Sequence, residues 1–113
     1  MKPSLSPTPD VRLQVRNDKL QNVKLVLEPW GEEVVLVAGV TVTVIVHGES
    51  AREAELVWEE CNVTLFAAPG STLDVEDERG SRVLRIDISV PGLPEGMSTR
   101  AFVRQVLEGE DEL

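Results

Sequence analysis

The sequence predicts an all-β fold: an antiparallel β-sandwich of seven or eight strands, closed by a short C-terminal helix. Val40-Thr41-Val42-Thr43-Val44-Ile45-Val46 alternates with a period of two, the pattern of a strand with one buried and one wet face. Weaker alternation recurs through most segments before Pro91, and turn signals punctuate it about every 8–12 residues. At 113 residues the chain is one domain, large enough for a two-layer core and too small for two. Jelly-roll, immunoglobulin-like and other strand orders stay open, with a jelly-roll-like order as the first choice.

Residues 1–10 hold three prolines and two serines and are expected to form a disordered arm ahead of a domain spanning 11–108. Val11, Leu13 and Val15 alternate with polar residues, and Asn17-Asp18 signals a turn. Val23, Leu25 and Leu27 share the next inner face until Pro29-Trp30-Gly31 stops the strand. Val34 to Ala38 is apolar without alternation, so it is either buried on both faces or covered from outside. Gly39 separates it from the long strand 40–47.

Ala54, Leu56 and Trp58 share a face, and Glu59-Glu60-Cys61-Asn62 reads as a tight turn in which Asn62 tolerates a left-handed backbone. Val63, Leu65 and Ala67 point inward on the return strand, before the turn at Pro69-Gly70. Leu73 and Val75 lead to the turn Glu78-Arg79-Gly80-Ser81, and Leu84, Ile86, Ile88 and Val90 face one way beyond it. The expected core is Leu25, Leu27, Val42, Val44, Leu56, Trp58, Leu65, Leu84, Ile86 and Ile88. After the stiff connector 91–96, Ser98 or Thr99 caps a helix over 98–107, with Phe102/Val106 and Val103/Leu107 as its apolar stripe. Residues 109–113 form an acidic tail.

The net charge is −9, with −2 in residues 1–56 and −7 in 57–113. That balance argues against nucleic-acid partners, which require clustered Lys and Arg. No apolar run approaches the roughly 20 residues that span a bilayer, so no membrane partner is expected. The opening residues lack an apolar run, and the lone Cys61 forbids an internal disulfide. Both features fit a reducing cytoplasm.

Met97, His47 and Cys61 are residue types used by copper sites, but a single histidine cannot supply the two that a blue-copper centre needs. Zinc fails for the same shortage of ligands. The run Asp74-Val75-Glu76-Asp77-Glu78-Arg79-Gly80 places carboxylates at alternate positions, but glycine is seventh and the twelfth residue is Arg85, so the calcium-loop pattern is not met. No cofactor or metal is therefore expected. His47 reads as an exposed side chain on the wet face of its strand. Cys61 lacks a sequence-local base, and Glu59-Glu60 point to opposite faces if extended. Asn62-Val63-Thr64 matches a glycosylation acceptor that means nothing without export. No catalytic residue is nominated, and the chain is not expected to be an enzyme.

Glu28-Pro29-Trp30-Gly31-Glu32 is the most singular segment. Trp30 there is either a lid that closes one end of the sandwich, which we favour, or a binding anchor flanked by Glu28 and Glu32. Leu27-Glu28-Pro29-Trp30-Gly31-Glu32, Gly39 before a strand, and Pro69-Gly70-Ser71 resemble small uncharacterised bacterial β proteins with an L-E-P-W-G segment. The resemblance covers roughly residues 23–80; it implies a bacterial cytosolic origin and no activity.

The expected function is non-catalytic: a protein-interaction module or homo-oligomeric accessory protein. Its expected contact surface is a patch of Val26, Ile45, Val57 and Phe66 on the wet side of neighbouring strands, covered in a homodimer. A small-ligand-binding sandwich using Trp30 or Trp58 is one alternative. An acidic inhibitor or immunity protein of a basic partner is another.

Overall fold

The computed structural model describes residues 10–93 and 96–107, so the arm before Asp10, Pro94-Glu95 and the acidic tail lie outside the described residues. The alternating segments become eight strands: β1 (Val11–Arg16), β2 (Val23–Glu28), β3 (Glu32–Leu36), β4 (Thr41–His47), β5 (Glu55–Trp58), β6 (Asn62–Phe66), β7 (Thr72–Glu76) and β8 (Arg82–Ile86). Sheet I has the order β1-β4-β7-β8 and sheet II the order β3-β2-β6-β5. The all-β sandwich is as expected.

Every pairing is antiparallel except β2–β6, which is parallel, with Leu25 opposite Val63 and Leu27 opposite Leu65. That pair departs from the antiparallel expectation and from a jelly roll, which is antiparallel throughout. It follows from the route of the chain. β2 turns back into β3 through a hairpin, and β6 arrives from the β5–β6 hairpin on the other side of β2. The first strand of one hairpin and the second strand of another are free to meet in the same direction.

Register explains the core. Residues directly opposite each other in a ladder point to the same face. In sheet II, Val34, Leu25 and Val63 lie side by side in one row, and Leu27, Leu65 and Leu56 in the next. In sheet I, Leu13, Val44, Val75 and Leu84 do the same. The two inner faces close on Val15, Val23, Leu25, Leu27, Leu36, Val44, Val46, Val63, Leu65, Leu73 and Val75, all at most 1% exposed. Leu56 and Leu84 are only half-buried, because β5 and β8 are edge strands.

Two expected core residues are exposed. Trp58 has the inward phase of its partner Val63 but ends the edge strand β5, where it is 45% exposed. Ile88 lies beyond the end of β8 and is 76% exposed. A bulge between Val75 and Glu76 shifts the β7–β8 ladder, so Glu76 faces Arg82 and Val83 is left exposed. Asn62 enters β6 directly, and among the described residues none other than glycine has a positive φ, so its expected left-handed turn is not formed. The β5–β6 hairpin instead closes through Glu59 N–H donating to the Asn62 carbonyl.

The C-terminal helix covers the expected span but is less regular than expected: α1 (Thr99–Phe102) runs into a π-helical turn, Val103–Leu107. Ser98 is the cap, its hydroxyl accepting from Ala101 N–H at 3.1 Å. Thr99 is instead buried and donates to the Ala67 carbonyl just past β6. With Arg104 3.7 Å from Glu59, this bond seats the helix on the outer face of sheet II. Val103 of the expected stripe is buried; the side chains of Val106 and Leu107 are outside the described residues. Among the described residues no helix is long and apolar enough to cross a membrane.

Candidate functional site

The expected four-residue apolar patch does not exist as one surface. Ile45 lies in sheet I, whereas Val26, Val57 and Phe66 lie in sheet II. Ile45 is 4% exposed, set mid-sheet between Arg12 on β1 and Asp74 on β7. Phe66 is 5% exposed, beside the start of α1. There it lines a cleft of about 260 Å³ with Glu53, Glu55, Leu93, Met97 and Thr99. Val26 and Val57 flank Thr64 and are half-buried.

Trp30 folds back over the sandwich. It packs against the core, and its indole Nε1 donates to the Ile88 carbonyl at 2.6 Å, tying the β2–β3 turn of sheet II to the chain leaving sheet I. That is the geometry of a lid. Glu28 carries its carbonyl to Ala67 N–H at 3.0 Å, and Glu32 is exposed at the start of β3. The three therefore sit around one strand turn, but Trp30 is occupied in closing the end.

At the opposite end lies the apolar run 34–38, which the sequence marks as buried on both faces or covered from outside. The run is resolved into an edge strand with Leu36 buried, Val35 59% exposed and Val37 51% exposed. β3 pairs only with β2 among the described residues. Beside Val35 lies an open concavity of about 350 Å³, lined also by Asn22, Val23, Lys24, Asn62 and the exposed thiol of Cys61. Lys24 reaches Glu33 across the strands at 3.5 Å, so its charge is answered and its alkyl stem lies along the face.

Asn17 fixes this corner. It is fully buried, and its amide Nδ2 donates to the Gln21 carbonyl at 2.9 Å and the Leu36 carbonyl at 2.8 Å. Its Oδ1 accepts from Lys19 N–H, and its backbone bonds to Gly39 and Val40. The loop 17–22, which carries Leu20 at 98% exposure, is thereby tied to the end of β3. Leu20, Val35 and Val37 are thus three large apolar side chains presented at one corner. The lack of alternation in 34–38 was the available signal for Val35 and Val37; nothing local marked Leu20.

The turn Asp77–Ser81 accounts for the calcium-like run. Asp77 accepts from Arg79 and Ser81 N–H, both at 2.9 Å, while Glu78 accepts from Thr41 N–H at 3.0 Å. These carboxylates are bound to the backbone that they shape. Among the described residues no group of three or more His, Cys, Asp or Glu is placed to hold a metal ion. His47 is half-buried rather than exposed, its ring between Asp10 and Asp74 on the outer face of sheet I.

The geometry is that of an eight-stranded mixed β-sandwich with one apolar corner and one helix-covered cleft. No protein-family model, curated protein or solved structure matches the chain.

Proposed function

We propose that the chain is a non-catalytic protein-interaction module, homo-oligomeric in its simplest form, that makes contact through the β3 corner. The observation that supports this reading is the exposure of Leu20, Val35 and Val37 beside the edge strand β3, which pairs only with β2 among the described residues. An open edge is a template for another strand, and neighbouring apolar side chains supply contact area. A cytoplasmic location agrees with the exposed, free Cys61 at this face.

The test is a charge placed on the edge. Val35→Lys combined with Val37→Lys should abolish self-association in sedimentation equilibrium, whereas Val83→Lys on the other sheet's edge should leave it intact. Equal effects of the two changes would contradict the assignment.

A second reading has an observation of its own, the cleft between α1 and sheet II. Its floor of Phe66, Leu93 and Met97 beside Glu53 and Glu55 suits a small apolar cation. A rise in melting temperature with such a ligand, lost in Phe66→Ala, would support it. The acidic-inhibitor reading rests on the net charge of −9 alone.

A further inference from the structure

We propose that His47 is a pH-operated clasp: as an imidazolium it holds Asp10, the residue before β1, onto the face of sheet I, and on losing a proton it releases Asp10 and keeps Asp74. The geometry comes from register. Val11 pairs with Val46, which sets Asp10 across from His47 on one side. Thr72 lies opposite His47 on the other side, with Asp74 diagonal to it. The ring Nδ1 is 2.9 Å from Asp10 Oδ1, and Nε2 is 3.0 Å from Asp74 Oδ2.

Each ring nitrogen therefore faces a carboxylate oxygen, and carboxylate oxygens only accept. Both contacts are hydrogen bonds only if both nitrogens carry protons, which is the charged form. A neutral imidazole has one N–H, so one contact becomes a lone pair facing a lone pair. The remaining groups on this face decide which carboxylate leaves. From β8, Arg85 Nε lies 3.7 Å from Asp74 Oδ1 and 3.1 Å from Asp87. From β1, Arg12 reaches toward Glu76 of β7 at 4.0 Å. Glu49 follows His47 on its own chain segment. Asp74 is 18% exposed and has Arg85 beside it, whereas Asp10 is 48% exposed and is readily hydrated once freed. Asp10 is the one that leaves. Burial opposes the charged ring, but the bonds to Asp74 and Asp10 outweigh it, and the His47 pKa is raised above its usual 6.5.

The clasp is thus closed below pH 6.5 and opens as pH rises through the raised value. The experiment is an NMR titration of the His47 ring together with exchange protection factors for the first amides of β1. The wild type should titrate above 6.5, and Asp10→Asn should move that value down. Protection at the start of β1 should fall several-fold across the titration and stay flat in His47→Gln, whose fold is verified by its amide spectrum. A wild-type ring that titrates at 6.5 or below, or one indifferent to Asp10→Asn, overturns the clasp. So does protection at β1 that ignores the protonation of His47.

Discussion

Asn17 shows how one buried amide can set a corner of a sandwich. Its two N–H donors satisfy the Gln21 and Leu36 carbonyls, and its oxygen satisfies Lys19 N–H, so two connections that cross between the sheets are locked together. Buried carbonyls left without donors are costly. Asn17→Ala is expected to destabilise the fold by about 1–3 kcal/mol in denaturant titration. Asn17→Asp, which keeps the acceptor and loses both donors, should lose at least as much; wild-type stability in that variant would contradict the assigned bonds. Gly48 is a second residue whose identity is fixed by space. Its φ is +132°, and a β-carbon there would sit 3.0 Å from the Gly70 carbonyl oxygen, so Gly48→Ala should be destabilising as well. His47 gives the molecule a pH dependence of known sign. Its contribution to stability is complete below pH 6.5 and declines as pH rises through its raised pKa, and this slope should vanish in His47→Gln.

At the scale of elements, alternation shows which face a residue takes, and neighbours decide whether that face is covered. Ile86 and Ile88 share a phase, yet Ile86 is 7% exposed inside β8 and Ile88 is 76% exposed beyond it. Ile86→Ala should therefore cost about 2–5 kcal/mol, and Ile88→Ala should stay within about 0.5 kcal/mol. Equal losses measured by thermal unfolding would contradict the end of β8 at Ile86. The same reasoning explains what could be read beforehand. The strand at Thr41–His47, the turn at Pro69-Gly70, the hairpin turn at 77–81, and the inward set Val63, Leu65 and Ala67 follow from local pattern alone. The parallel β2–β6 pair does not, because a strand's alternation is the same in either direction. Phe66 alternates with the inward Leu65, but what lies on its side of the strand depends on where Thr99 and Arg104 anchor α1. The apolar run 34–38 carried the signal of an unusual strand; that it forms an open edge is a matter of sheet order.

For the whole molecule, the covered Phe66 and Ile45 remove the patch first expected to drive association, and Leu20, Val35 and Val37 take its place at a different end. A chain with a net charge of −9 repels its copies, so contact through an apolar corner should strengthen as salt screens that repulsion. Association that weakens with added salt would point to an ionic interface instead. Light scattering across a concentration series, repeated at low and moderate salt, tests the interaction reading most directly. A mass rising from 12.4 kDa toward twice that value, earlier at the higher salt, is the predicted result. A mass that stays at 12.4 kDa to high concentration in both salts would contradict self-association through the β3 corner.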